Sequence, residues 1–101
     1  MKIQLDSQSI QLIKKILKHQ LPKHKVLVFG SRVTKNYKPH SDLDLCILGE
    51  TPLTLTQLAV LKETFSESDL PIRVDIVDWA TLSPEFRNVI KTKSVKLISA
   101  L

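Results

Sequence analysis

Asp42 and Asp44 stand two residues apart in a run that reads Ser41-Asp42-Leu43-Asp44-Leu45-Cys46-Ile47-Leu48. Alternate side chains of a strand share a face. An extended run here therefore projects both carboxylates together and turns Leu43, Leu45 and Ile47 to the opposite, buried side. Paired carboxylates repel and lose hydration, which raises the pKa of at least one unless a cation intervenes. A hard divalent ion answers that need, and Mg²⁺ in particular takes a few carboxylates plus phosphate oxygens. Asp75 supplies a third acid, set among the β-branched residues of Ile72-Arg73-Val74-Asp75-Ile76-Val77-Asp78. An acid buried in such a run is costly unless it is paired or ligates metal. Asp75 and Asp78 have opposite parity, so only one can face the Asp42/Asp44 pair. Asp75, in mid-strand, is the one expected there.

A second set of residues points at phosphate. Val26 to Phe29 is a short apolar run closed by Gly30 and Ser31, and Gly30 is one of only two glycines in the chain. Without a Cβ, Gly30 permits a tight turn and a close approach of backbone to ligand. Ser31 and the neighbouring N–H groups would then hold phosphate oxygens, with Arg32 adding charge. An isolated Gly-Ser is usually no more than the turn that ends a strand. Two carboxylates returning on the next strand favour the functional reading. Lys35 and Lys38, in the loop that follows, would either lend charge to a triphosphate or remain solvated.

Gly30-Ser31, the polar loop, Ser41-Asp42-Leu43-Asp44-Leu45 and Val74-Asp75-Ile76 together resemble the nucleotidyltransferase superfamily of DNA polymerase β type. More closely, the chain resembles the minimal nucleotidyltransferase (MNT) domains of prokaryotes, encoded beside a HEPN-domain partner. The resemblance runs from the first helix to about Val95 and implies a Mg²⁺-dependent nucleotidyltransferase, with Mn²⁺ as a substitute. Asp42, Asp44 and Asp75 would be catalytic and hold one or two metal ions. Gly30, Ser31, Arg32 and Ser41 would bind the nucleotide. ATP is the implied donor and a hydroxyl on a HEPN-type toxin the implied acceptor, which makes the chain an antitoxin. The loop departs from the family pattern at Thr34 and Lys35, where a basic residue and then Gly are usual. Asn36, which tolerates left-handed backbone, would replace that Gly. A partner protein or self-association would complete so small a nucleotide site. The rival reading is a subunit that binds nucleotide and docks on its partner without turnover.

Composition narrows the remaining classes. At 101 residues, 43% hydrophobic and 25% charged, the sequence reads as one globular domain over residues 1–101. It contains no apolar run of ~18 residues that would span a membrane, and its first residues lack the apolar core of a secretory signal. Cys46 stands alone, which excludes an internal disulfide and fits a reducing cytoplasm. The net charge of +5 comes from scattered Lys and Arg, with no aromatic interleaving of the kind that reads single-stranded nucleic acid. Direct nucleic-acid binding is therefore disfavoured.

The supporting elements follow from pattern. Ile10, Ile13 and Leu17 give an amphipathic helix over residues 7–20, capped by Asp6, Ser7 or Ser9 and stopped before Pro22. Thr54 and Gln57 form a capping box for a helix running to about Glu67, with Leu58, Leu61 and Phe65 inward. Ser83-Pro84-Glu85 opens a third helix whose apolar face is Phe86, Val89 and Ile90. Residues 94–101 alternate weakly, as a short strand or a docking segment, and their apolar end hints at partner contact. His19, His24 and His40 read as surface residues, and Trp79 as a packing residue. The expected fold is α/β (α+β), a nucleotidyltransferase-like mixed sheet of three to four strands with helices mainly on one face. The strands bearing Asp42/Asp44 and Asp75 must be neighbours for the acids to converge.

Overall fold

The computed structural model describes residues 2–98. In chain order the elements are α1 (Ser7–Gln20), β1 (Lys25–Phe29), β2 (Leu43–Leu48), α2 (Leu55–Glu67), β3 (Val74–Asp78), α3 (Pro84–Thr92) and β4 (Ser94–Ile98). Short 3₁₀ turns follow β1 (Ser31–Val33) and β3 (Trp79–Thr81). The sheet is mixed, in the order β3-β2-β1-β4. β1 pairs antiparallel with β2 and β4, and β2 pairs parallel with β3.

Parity sorts the sheet into two faces. Val26 and Val28 of β1 stand opposite Ile47 and Leu45 of β2, and all four are fully or almost fully buried, as is Leu43. Ile13 and Leu17 of α1 and Leu61 and Phe65 of α2 complete this core. Burying side chains of this size stabilises the fold by about 1.5–3 kcal/mol each. The expected layering of helices on one face of a mixed sheet is thus formed by α1 and α2. The short α3 instead reaches residues of the other parity, with Phe86 edge-on to Phe29 at 5.8 Å.

Local signals set the helix ends. Asp6 is the cap of α1, its Oδ2 accepting from Ser9 N–H at 3.0 Å. The Thr54/Gln57 box closes reciprocally, at 3.0 and 2.9 Å. Ser83 caps α3 by accepting from Phe86 N–H. The apolar face expected of α3 is only partly used. Ile90 is fully buried, whereas Phe86 and Val89 stay exposed, because a helix this short meets the sheet through a single turn. The weakly alternating tail does pair as β4, and its last three residues lie outside the described residues. His24 also departs from expectation. It tucks against Gly49, and its Nδ1 is buried without a hydrogen-bond partner among the described residues. No helix among these residues is long and apolar enough to cross a membrane.

Cys46 lies in mid-sheet and is fully buried. Burial, reinforced by the negative charge of Asp78, pushes its thiol up to about 11. The thiolate is the reactive form, so native protein is expected to resist iodoacetamide at pH 8 and to alkylate fully in denaturant. Intact-mass measurement checks this.

Candidate active site

The three acids converge as the chemistry required. Parallel pairing of β2 with β3 sets Asp44 directly opposite Asp75. Asp42 lies just before β2, two residues from Asp44 and of the same parity. Asp44 is the most enclosed electrostatically. Burial first, then the charges of Asp75 and Asp42, push its carboxyl up to about 6. Asp78 does not join them, as parity dictates. It is buried and accepts from Leu53 N–H at 2.7 Å and Ala80 N–H at 3.2 Å, tying the segment before α2 to the turn after β3.

Gly30 follows directly on Phe29, the β1 residue paired with Asp44. Its φ is +80°, and a Cβ built there would overlap Asp44 Oδ2. Both the left-handed backbone and the missing side chain are therefore required. Ser31 begins a turn braced by Thr34, whose N–H and hydroxyl both donate to Ser31 C=O, at 3.0 and 2.8 Å. Thr34 Oγ1 also accepts from Asn36 N–H at 3.1 Å. The departure from the family pattern at Thr34 thus has a structural role. Asn36 does not take the left-handed position proposed for it, since Gly30 alone among the described residues has that backbone.

Arg32 requires a correction. Expected to add charge at a phosphate, it is 5% exposed and its guanidinium is engaged by the protein's own backbone. It donates to the carbonyls of Gln4 (2.7 Å), Ser41 (2.9 Å), Pro39 (3.1 Å) and Lys38 (3.4 Å). The Tyr37 ring lies 5.5 Å from its Cζ. Arg32 folds the loop of residues 34–41 back on itself and fixes the residue before Asp42. Ser41 takes part in the same closure, its Oγ accepting from Lys38 N–H at 2.8 Å. Lys35 and Lys38 are exposed.

One charged group went unassigned in the sequence. Arg73 donates to Asp75 Oδ1 at 3.2 Å and stands 3.9 Å from Asp42 Oδ2, so it bridges two of the three acids. The signal was present, because Arg73 and Asp75 are two apart in a strand-like run and share a face. As the side chains stand, no group of three ligands is gathered for a metal among the described residues. The donor set nonetheless fits a divalent cation: three carboxylates share one rim, and burial and the other two charges push the most enclosed up to about 6. Arg73 is the cation already there, and its side chain is 77% exposed. Arg73→Ala is expected to tighten Mn²⁺ binding about three- to tenfold by removing that competitor. It should move stability by less than about 1 kcal/mol, as for other exposed pairs. Calorimetric titration and thermal melts check both.

A parallel-paired carboxylate array beside a left-handed glycine turn is chemistry that suits phosphate and a divalent cation. The polymerase β nucleotidyltransferase family model matches residues 11–100, and the chain belongs to that family. It is a nucleotidyltransferase. Among its relatives is the Haemophilus influenzae protein MntA, named as a probable protein adenylyltransferase. The two are 47% identical over 89 residues, which span 88% of this chain and 78% of MntA. A toxin–antitoxin crystal structure with AMP-PNP superposes with a TM-score of 0.76 at 25% identity, covering 90% of this chain and 73% of that one. An MNT antitoxin in complex with a tri-AMPylated HEPN toxin of Shewanella oneidensis shares the fold, with a TM-score of 0.73 at 23% identity. That match covers 95% of this chain and 74% of the other.

Proposed function

We propose that this nucleotidyltransferase moves AMP from ATP to a hydroxyl of a HEPN-domain partner and so serves as the antitoxin of a toxin–antitoxin pair. The observation that carries the reading is the register of Asp44 against Asp75, with Gly30 closed onto Asp44. The 47% identity to MntA supports the donor and the class of acceptor. Asp42 and Asp44 would hold Mg²⁺, with Asp75 completing the site. The ion would neutralise charge on the triphosphate as pyrophosphate leaves. Gly30 would let the backbone approach the phosphates, Ser31 would offer its hydroxyl and N–H beside them, and Ser41 its hydroxyl alone, since its N–H donates to Lys38 C=O. Asp75, half-exposed at the rim, would accept the proton of the incoming hydroxyl. The acceptor oxygen bonds to the α-phosphorus, and the bond from that phosphorus to the bridging oxygen breaks. A reducing cytoplasm, which the lone Cys46 suits, supplies ATP.

The test is label transfer. The protein would be incubated with Mg²⁺ and each α-labelled nucleoside triphosphate in lysate of its source cells, beside an Asp44→Asn control. A labelled protein band, strongest with ATP and dependent on Asp44, is expected. Absence of label with the partner confirmed present would replace transfer with docking alone.

A further inference from the structure

The strand ends remote from the carboxylates hold a second feature that the transfer reaction does not use. A cavity of about 780 Å³ opens beside Lys25, where β1 begins, and Leu48, where β2 ends, two residues that pair with each other. Lys23, Arg87 and Lys91 add three more cations, Trp79 and Leu27 an apolar wall, and Glu50 the one carboxylate. Leu48 is four residues beyond Asp44, about 13 Å along the strand, so the two sites are separate.

None of the four cations pairs with a carboxylate among the described residues. Like charges held around a concavity repel one another, and they concentrate anions there. Arg87 is prearranged for a ligand. Its Nε donates to Trp79 C=O at 3.0 Å and its Cζ stands 5.1 Å from the Trp79 ring, which leaves the two terminal nitrogens without a partner among the described residues. Lys91 Nζ lies 5.7 Å from the same ring. Because cations already sit against the Trp79 ring, it serves better as their anchor than as a platform for a stacked base.

We propose that this cleft binds a polyphosphate, either free pyrophosphate or the phosphate chain of a nucleotide. The cavity is of small-ligand size, and its positive charge is gathered into one pocket. A polyphosphate concentrates several negative charges over a comparable span, and the Arg87 fork suits its paired oxygens. An acidic peptide strand spaces its like-facing carboxylates about 6.6 Å apart and would leave the cluster less well neutralised. The proposal involves none of Asp42, Asp44 or Asp75 and stands apart from the transfer reading.

Trp79 is the only tryptophan, so its fluorescence reports the cleft directly. The Asp44→Asn protein in EDTA would be titrated with pyrophosphate, with ATP and with an oligoglutamate peptide, all at matched ionic strength. A saturable change in emission with one or both phosphates is expected. It should weaken at least tenfold in a variant that also carries Lys25→Gln and Lys91→Gln, two exposed positions whose replacement spares the core. Tighter binding of pyrophosphate would mark a site for the free anion, and tighter binding of ATP a nucleotide site. A response equal in the Lys25/Lys91 variant, no saturation with either phosphate, or preferential binding of oligoglutamate would overturn the proposal.

Discussion

Asp44→Asn is expected to lower nucleotidyl transfer by about a hundredfold or more and, in the absence of metal, to make the fold more stable. Asp44 is held at about 6, above its ordinary 3.8, by burial and by two neighbouring carboxylates. The folded protein therefore binds this proton more tightly than the unfolded chain does. Stability is then greatest at low pH and declines as pH rises through about 6. The full shift corresponds to about 3 kcal/mol, which solvent screening at this half-buried rim reduces to about 1–2 kcal/mol. Asn carries no charge and escapes the penalty, so Tm should rise by about 4–10 °C at pH 8 in EDTA. Near pH 4 the gain should vanish, because the wild-type carboxyl is then neutral in the fold as well. Added Mg²⁺ should raise the wild-type Tm more than that of the variant. Transfer by the wild type should fall as pH drops through about 6. A variant less stable than wild type at pH 8 would mean that Asp44 serves the fold rather than the site.

The acids were legible in the sequence because strand parity is a local rule. Two residues apart means one face, and the neighbouring strand had to follow if the charges were to meet. Caps were legible for the same reason, although three candidates around the start of α1 resolved to Asp6 only in three dimensions. Arg32 was not legible. An arginine after Gly-Ser looks the same whether it turns outward to a phosphate or inward to carbonyls, and one of its acceptors, Gln4, is 28 residues away. Asn36 misled because a missing family glycine suggested a left-handed substitute, whereas the Thr34 hydroxyl braces the turn without one. Arg73 could have been found, since it has the same parity as Asp75 and so shares its face. Phe86 and Val89 have helical spacing, but spacing cannot say how much of a two-turn helix the sheet will cover.

Arg32→Ala should be among the most damaging single changes outside the hydrophobic core. Four backbone carbonyls lose a charged donor at once, and each buried polar group left unmet costs about 1–3 kcal/mol. Relaxation and water entry offset part of this, so a net loss of about 3 kcal/mol is expected, lowering Tm by more than about 10 °C. Arg32→Lys should recover little, because an ammonium on a flexible stem cannot reproduce a planar fork that reaches Gln4 on one side and residues 38–41 on the other. Thermal melts of the three proteins separate this role from the one first expected. A phosphate ligand would give a lysine variant that melts like wild type and binds ATP more weakly. A loop anchor gives two variants that both melt early, whether or not nucleotide is present. Because Ser41 C=O accepts from Arg32 Nε, Asp42 inherits its position from this buried charge. The Asp42 end of the site is therefore tied to the N-terminal segment through Gln4, and shortening the chain before α1 should weaken transfer without touching an acid.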